Sequence, residues 1–187
     1  EGCLEQLNGM FAFCIYDTHE RTAFLARDRF GQKPIYLAEL DGRLVYASEI
    51  KALMAAGVEA RPDLATWSRY LVSASYDDNA ATYFAGISQL LPGECATWTP
   101  GKGLSRRRYY DIAEHAIERQ VNADEAAAET RDLLLDVARL HMRADVPVAI
   151  ALSGGLDSSA LLACLDAAGE LNEDVKCFSV DFGAALS

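Results

Sequence analysis

Asp145-Val146-Pro147-Val148-Ala149-Ile150-Ala151-Leu152-Ser153-Gly154-Gly155-Leu156-Asp157-Ser158-Ser159 is the stretch from which the fold is read. Residues 146–151 (VPVAIA) are apolar without alternation, the pattern of a parallel strand covered on both faces. Residues 158–168 have a helical texture, with Gly169 where a helix stops. Residues 175–180 (VKCFSV) form the next apolar run. Strand, loop, helix and strand in that order predict one βαβ unit of an α/β domain. Phosphate binding needs main-chain N–H groups pointing into a concave loop at the positive end of a helix dipole. Gly154 and Gly155 let the main chain approach an anion, and Ser153, Ser158 and Ser159 add hydroxyl donors. Asp157 would repel phosphate unless Mg²⁺, which takes carboxylate and phosphate oxygens together, lies between them. The plainer reading is a serine- and glycine-rich turn that caps the helix through Asp157 or Ser158. The strand–loop–helix setting favours the phosphate reading. The loop is neither Gly-x-x-x-x-Gly-Lys-Ser/Thr nor Gly-x-Gly-x-x-Gly, and Gly101-Lys102 is followed by Gly103, not a hydroxyl residue.

Upstream, Asn122 with Glu125 three residues later predicts a capping box, opening a helix over about residues 123–142. Leu133, Leu134, Val137, Leu140 and Ala144 are expected on one apolar stripe. Before residue 111 the texture differs. Residues 10–17 (MFAFCIYD) read as a buried strand, and 22–27 (TAFLAR) as its hairpin partner. Residues 35–38 and 43–47 read as two more strands around the Asp41-Gly42 turn, so the first 47 residues predict an antiparallel meander. Ser48 is the expected cap of a helix ending at Gly57, and Pro62-Asp63 opens another helix. Residues 94–99 and 105–110 flank Pro100-Gly101-Lys102-Gly103 as a late hairpin.

Charge divides the chain at the same place. Residues 1–110 hold 12 Lys+Arg and 13 Asp+Glu, whereas 111–187 hold 5 and 15, so nearly all of the net charge of −11 lies in the second part. The domains are accordingly expected at 1–110 and 111–187. So acidic a chain repels a phosphate backbone, and a nucleic-acid partner is not expected. Arg106-Arg107-Arg108 reads as a solvated strand face, Arg27-Asp28-Arg29 as ion pairing at a strand end, and Phe11, Phe13, Tyr36 and Tyr46 as core. Five cysteines without a Cys-x-x-Cys encode no disulfide framework or zinc site and fit a reducing cytoplasm. Cys14 and Cys177 lie in predicted strands and are expected to be buried. His19, His115 and His141 are scattered and read as surface residues. No run of about 18 apolar residues is present, so no membrane helix is expected.

Ser153 to Ser159 resembles the pyrophosphatase loop of ATP-dependent adenylating enzymes. Three further segments narrow the family: Leu7-Asn8-Gly9-Met10-Phe11-Ala12-Phe13, Ala26-Arg27-Asp28-Arg29-Phe30-Gly31-Gln32-Lys33-Pro34-Ile35-Tyr36 and Ala47-Ser48-Glu49-Ile50-Lys51-Ala52-Leu53. They are similar to the glutaminase domain of the glutamine-hydrolysing asparagine synthetase family, as are Leu91-Pro92-Gly93 and Arg108-Tyr109-Tyr110. The resemblance implies an α+β part followed by an α/β part. The first is the C-terminal portion of a type 2 glutaminase domain of N-terminal-nucleophile hydrolase type, with an antiparallel sheet. The second is the first βαβ unit of a parallel-sheet adenine-nucleotide hydrolase-like domain. It also implies the reaction: aspartate attacks the α-phosphate of ATP, giving β-aspartyl-AMP and pyrophosphate, and ammonia from glutamine then displaces AMP. By the same resemblance Leu152, Ser153, Gly154, Gly155, Leu156, Asp157, Ser158, Ser159 and Val180 contact ATP, and Asp157 holds Mg²⁺.

The family's nucleophile is an N-terminal cysteine, and neither Glu1 nor Cys3 fills that role, so no catalytic residue is expected in this stretch. The expectation is an internal piece, inactive and aggregation-prone by itself, of an enzyme using aspartate, glutamine and ATP, with a homodimer as an optional assembly. The alternatives are a relative acting on another carboxylate, including a cyclising synthetase, and a non-catalytic nucleotide-binding module.

Overall fold

The computed structural model describes residues 2–76 and 78–181. They fall into two compact units, Glu1–Ala116 and Ile117–Ser187. The first contains a 3₁₀ turn (Gly2–Glu5), β1 (Ala12–Asp17), β2 (Thr22–Arg27), β3 (Tyr36–Leu40), β4 (Arg43–Ala47), α1 (Ile50–Ala55), α2 (Leu64–Ser73), β5 (Ser88–Gln89), β6 (Glu94–Thr99), β7 (Gly103–Arg108) and α3 (Ile112–His115). The second contains α4 (Ala123–His141), β8 (Ala149–Ala151), α5 (Leu156–Ala167) and β9 (Lys176–Phe178).

The first unit is a two-sheet sandwich. One antiparallel sheet has the order β1-β2-β6-β7 and the other β4-β3-β5. Side chains alternate along each strand, so one strand serves two layers. Ala23 and Leu25 of β2 join Leu37, Leu90 and Ala96 between the sheets. Phe24 and Ala26 turn the other way, towards Leu4, Phe11, Phe13 and Cys95. Ala38 faces Leu53 of α1 and Ile87 on the far side of the second sheet.

The hairpins form as the sequence predicts, but the single meander does not. β2 pairs with β6 across Leu25 and Ala96, while β3 pairs with β5. The reason lies in residues 28–35, which carry the chain from one sheet to the other. Asp28 is 1% exposed. Its carboxylate accepts N–H bonds from Phe11, Phe30, Gln32 and Lys33. The Arg27 guanidinium donates to the carbonyls of Gly31, Lys33 and Leu90. The expected ion pairing at this strand end is therefore replaced by main-chain bonding. Arg106 is also not a solvated strand residue: it donates to Gln89 O and Ser88 Oγ, both at 2.6 Å.

Other expectations are corrected locally. β1 is an edge strand, so Ile15 and Tyr16 are exposed. Tyr46 is also exposed, whereas Phe11, Phe13 and Tyr36 are half-buried. Ser48 does not cap α1; the cap position is Glu49, and no side chain bonds there. Asp63 does cap α2, accepting from Thr66 N. Gly93, at φ +68°, packs so closely beneath Tyr110 that an added Cβ would lie 2.5 Å from Tyr110 O.

In the second unit Asn122 and Glu125 form the reciprocal capping box. The buried residue of α4 is Ala138, which packs with Ile150 and Leu165; Leu133 is 67% exposed, and Leu134, Val137 and Leu140 are exposed as well. A small residue at the contact lets helix and strand approach, and among the described residues nothing covers the leucine stripe. β8 and β9 pair in parallel around α5, giving the expected βαβ unit. Both strands are shorter than predicted. Only Ile150 of the two is buried, and Cys177 is exposed, contrary to expectation. No helix among the described residues is long and apolar enough to cross a membrane.

Candidate functional site

The candidate site is the turn between β8 and α5. β8 ends at Ala151, and its parallel pairing is extended by Leu152, whose N–H donates to Phe178 O at 2.8 Å. Ser179 Oγ donates to Leu152 O at 2.7 Å. Both main-chain groups of Leu152 are thus taken up by the end of β9. Val180, one residue beyond, is exposed.

Gly154 has φ +78°, in the left-handed region that a side chain resists. With the chain turned there, α5 starts early: its N-cap is Gly155, with no side-chain cap, and Leu156 is its first residue. Leu156, Asp157, Ser158 and Ser159 therefore form the first turn of the helix. The sequence reading started the helix at 158, so it placed 156 and 157 in the loop. The cap by Asp157 or Ser158 suggested by the plainer reading is not formed.

The loop is closed by hydroxyls. Gly155 N–H donates to Ser153 Oγ at 3.3 Å, and Ser153 N–H donates to Ser158 Oγ at 3.3 Å. The two hydroxyls are 3.1 Å apart, and Ser158 Oγ donates to Gly155 O at 3.3 Å. Asp157 and Ser159 make no side-chain hydrogen bond among the described residues. Asp157 and Ser158 also line an open cleft of about 390 Å³ floored by Ile150, Leu161 and Leu165. The loop thus joins a helix N-terminus, where main-chain N–H groups lack intrahelical partners, to one exposed carboxylate. Among the described residues no three metal-ligating side chains cluster. A single carboxylate is still a sufficient protein donor for Mg²⁺ that arrives with its substrate's phosphates.

In the first unit, sequence reasoning missed the Arg27–Asp28 and Arg106 networks. The signal for Arg106 was present: on β7 it shares with Leu104 the half-buried face that alternates with exposed Ser105 and Arg107. His19, His115 and His141 are exposed, as read.

Residues 1–110 match the family model described as glutamine amidotransferase domain, and residues 129–186 match the one described as asparagine synthase. The first match covers more than half of the sequence, and the chain belongs to the glutamine amidotransferase domain family. Among relatives, asparagine synthetase [glutamine-hydrolyzing] 1 of Bacillus subtilis (strain 168) is 33% identical over 182 residues, covering 97% of this chain and 28% of the relative. Amidase chyE of Penicillium rubens is 30% identical over 193 residues, with 96% and 28% coverage. The chain thus spans about 28% of the length of these relatives. A solved glutamine phosphoribosylpyrophosphate amidotransferase from B. subtilis covers 95% of this chain and 34% of its own, at 17% identity and a TM-score of 0.39.

Proposed function

We propose that the whole protein is an ATP-dependent carbon–nitrogen ligase that makes asparagine from aspartate, with ammonia drawn from glutamine. One observation carries this reading: a glutamine amidotransferase domain is followed, in the same chain, by a strand–glycine loop–helix–strand unit opening on a helix N-terminus. The domain division is placed near residue 110, ahead of α4, and the first part is read as the C-terminal portion of an N-terminal-nucleophile hydrolase fold. The second is read as the start of a parallel adenine-nucleotide hydrolase-like sheet.

The chemical need is a leaving group. A carboxylate oxygen of aspartate is a poor one, and AMP is a far better one once the carboxyl is adenylated. Main-chain amides around Gly154 and Gly155, with Ser159 and the α5 dipole, would bind the pyrophosphate portion of ATP. By the family resemblance Leu152, Leu156 and Val180 would border the nucleotide, Leu152 through its side chain, since its main-chain groups are bonded to Phe178 and Ser179. Asp157 would hold Mg²⁺, which when bound neutralises phosphate charge as pyrophosphate departs. A homodimer and a reducing cytoplasmic setting belong to the same reading.

Relatives named amidases, 30% identical to this chain against 33% for asparagine synthetase 1, support a second reading in which the carboxylate is not that of aspartate. Incubating the whole protein with ATP, Mg²⁺ and glutamine separates the two. Release of AMP and pyrophosphate that requires aspartate supports the first, and release with another carboxylate but not with aspartate supports the second. Release with neither would contradict both.

A further inference from the structure

The corner of the first unit where the chain leaves β2 and β7 encloses an open cavity of about 400 Å³. Phe30, Leu91, Pro92 and Ile112 give it an apolar wall, and Arg29, Arg108, Asp78 and Asp111 supply charge. The charges are not equivalent. Arg108 lies 2.7 Å from Asp111, and Asp78 faces Arg69 at 3.3 Å, so both carboxylates are already paired. Arg29 has no carboxylate partner among the described residues. A guanidinium carries five N–H donors, and Arg29 donates to a protein oxygen only at Glu5 O, 3.3 Å away. Its charged group lies 5.0 Å from the centroid of the Tyr110 ring, which steadies it in the cavity wall. Tyr110 is in turn stacked with His115 at 4.6 Å and meets Phe30 in a T-shaped contact at 6.1 Å.

We infer that this cavity is a binding site for a small organic monocarboxylate, with the carboxylate on Arg29 and the apolar body against Phe30, Leu91, Pro92 and Ile112. The site belongs wholly to the first unit and does not depend on the ATP reading of the α5 loop. A cavity of this volume, apolar with a few convergent polar groups, has the ordinary form of a small-molecule site. A guanidinium with unspent donors in one plane matches the two oxygens of a carboxylate. The acidic neighbours set the limit on ligand charge. Asp78 and Asp111 line the same cavity, and a doubly charged ligand such as a phosphate ester would be repelled by both. A nucleobase is disfavoured as well, because Arg29, His115 and Phe30 already flank the Tyr110 ring. A bound carboxylate would join the loop after β2 to the segment after β7.

The test is a ligand-observed NMR titration of the whole protein with sodium benzoate, set against benzyl alcohol, which lacks the charge, and phenyl phosphate, which carries a second one. Benzoate should bind saturably and about tenfold tighter than either comparison compound. Arg29→Met, which keeps an apolar stem, should weaken benzoate about tenfold or more, since a charge-assisted bond is lost. Arg43→Met removes the same charge from the exposed start of β4 and should leave the affinity within about twofold. Ile112→Glu adds a carboxylate at a cavity residue that is 61% exposed, and should also weaken benzoate about tenfold while the melting temperature holds. Unchanged affinity in Arg29→Met, or in Ile112→Glu where Arg29→Met does not fold, would overturn the proposal. An equal loss in Arg43→Met would overturn it too, because net charge alone would then explain the effect. So would benzyl alcohol or phenyl phosphate binding as tightly as benzoate, or no saturable benzoate binding up to about 10 mM.

Discussion

Arg27 and Asp28 are adjacent at the end of β2, and each binds the same loop through the opposite half of the peptide group. Asp28 takes the N–H groups of Phe30, Gln32 and Lys33, the last two at 2.9 Å. Arg27 takes the carbonyls of Gly31 at 2.7 Å and Lys33 at 3.0 Å. Between them the irregular backbone that leaves one sheet for the other is satisfied without a regular partner. No ion pair joins the two among the described residues, so each should be judged by the backbone it holds.

Burial pushes the Asp28 carboxyl up, but the N–H bonds from Lys33, Gln32, Phe11 and Phe30 outweigh it and leave the pKa below the usual carboxylate value. The folded state therefore favours the charged form. That contribution is present above the ordinary carboxyl range, near pH 4, and is lost as pH falls through the lowered folded value. Asp28→Asn should cost about 2–3 kcal/mol at pH 7 and flatten the loss of stability below about pH 4. Urea unfolding between pH 7 and 3 checks both. A variant as stable as the parent would sink this reading of the loop.

Tyr109 closes the same corner, its hydroxyl donating to Arg27 O at 2.7 Å. Burial, then the charge of Asp28, pushes its pKa up to about 12. A raised value means that the neutral form is favoured in the fold. The contribution is full below about pH 10 and disappears as pH rises towards the folded value. Ultraviolet titration should find a tyrosine step near the raised Tyr109 value, and Tyr109→Phe should remove that step and about 1 kcal/mol of stability.

Gly93 and Gly101 both have positive φ, but only Gly93 is crowded. Gly101→Ala should cost about 1 kcal/mol, the strain of a left-handed alanine in open space. Gly93→Ala adds a Cβ at 2.5 Å from Tyr110 O, so the backbone itself must shift, and the cost should exceed about 3 kcal/mol. Thermal melts of the two variants distinguish crowding from strain alone.

The legible parts of the fold were those whose cause is local. Asp41-Gly42 fixed its hairpin, and Asn122 with Glu125 fixed the start of α4, because turn and cap chemistry act over a few residues. The pairing of β2 with β6 was not legible, since nothing in residues 22–27 names a partner some 70 positions away. Arg27 and Asp28 misled for a related reason. Opposite charges side by side suggest each other, whereas their partners are peptide groups that carry no sequence signature. In the loop, Gly154 was read as allowing close approach to an anion and not as a left-handed turn, and the early start of α5 at Leu156 depends on that turn. The contact between Ser153 and Ser158 was not readable at all, because serine spacing does not say where a hydroxyl points.

Gly154 and Gly169 share the same strain, at φ +78° and +74°, both in open space. Replacing either by alanine should cost about 1–2 kcal/mol of local conformational energy. Only at Gly154 should this reach the nucleotide: Gly154→Ala should weaken ATP binding by the whole protein about tenfold, and Gly169→Ala should leave it unchanged. Equal effects on affinity would separate the loop from the ligand.

Asp157 offers the most direct measurement, the aspartate-dependent exchange of labelled pyrophosphate into ATP by the whole protein with and without Asp157→Asn. The exchange should fall by about a hundredfold or more, since a metal-binding carboxylate is lost, while glutamine hydrolysis and melting temperature stay near the parent's. Exchange retained within about threefold would contradict the assignment of this loop to ATP and its metal.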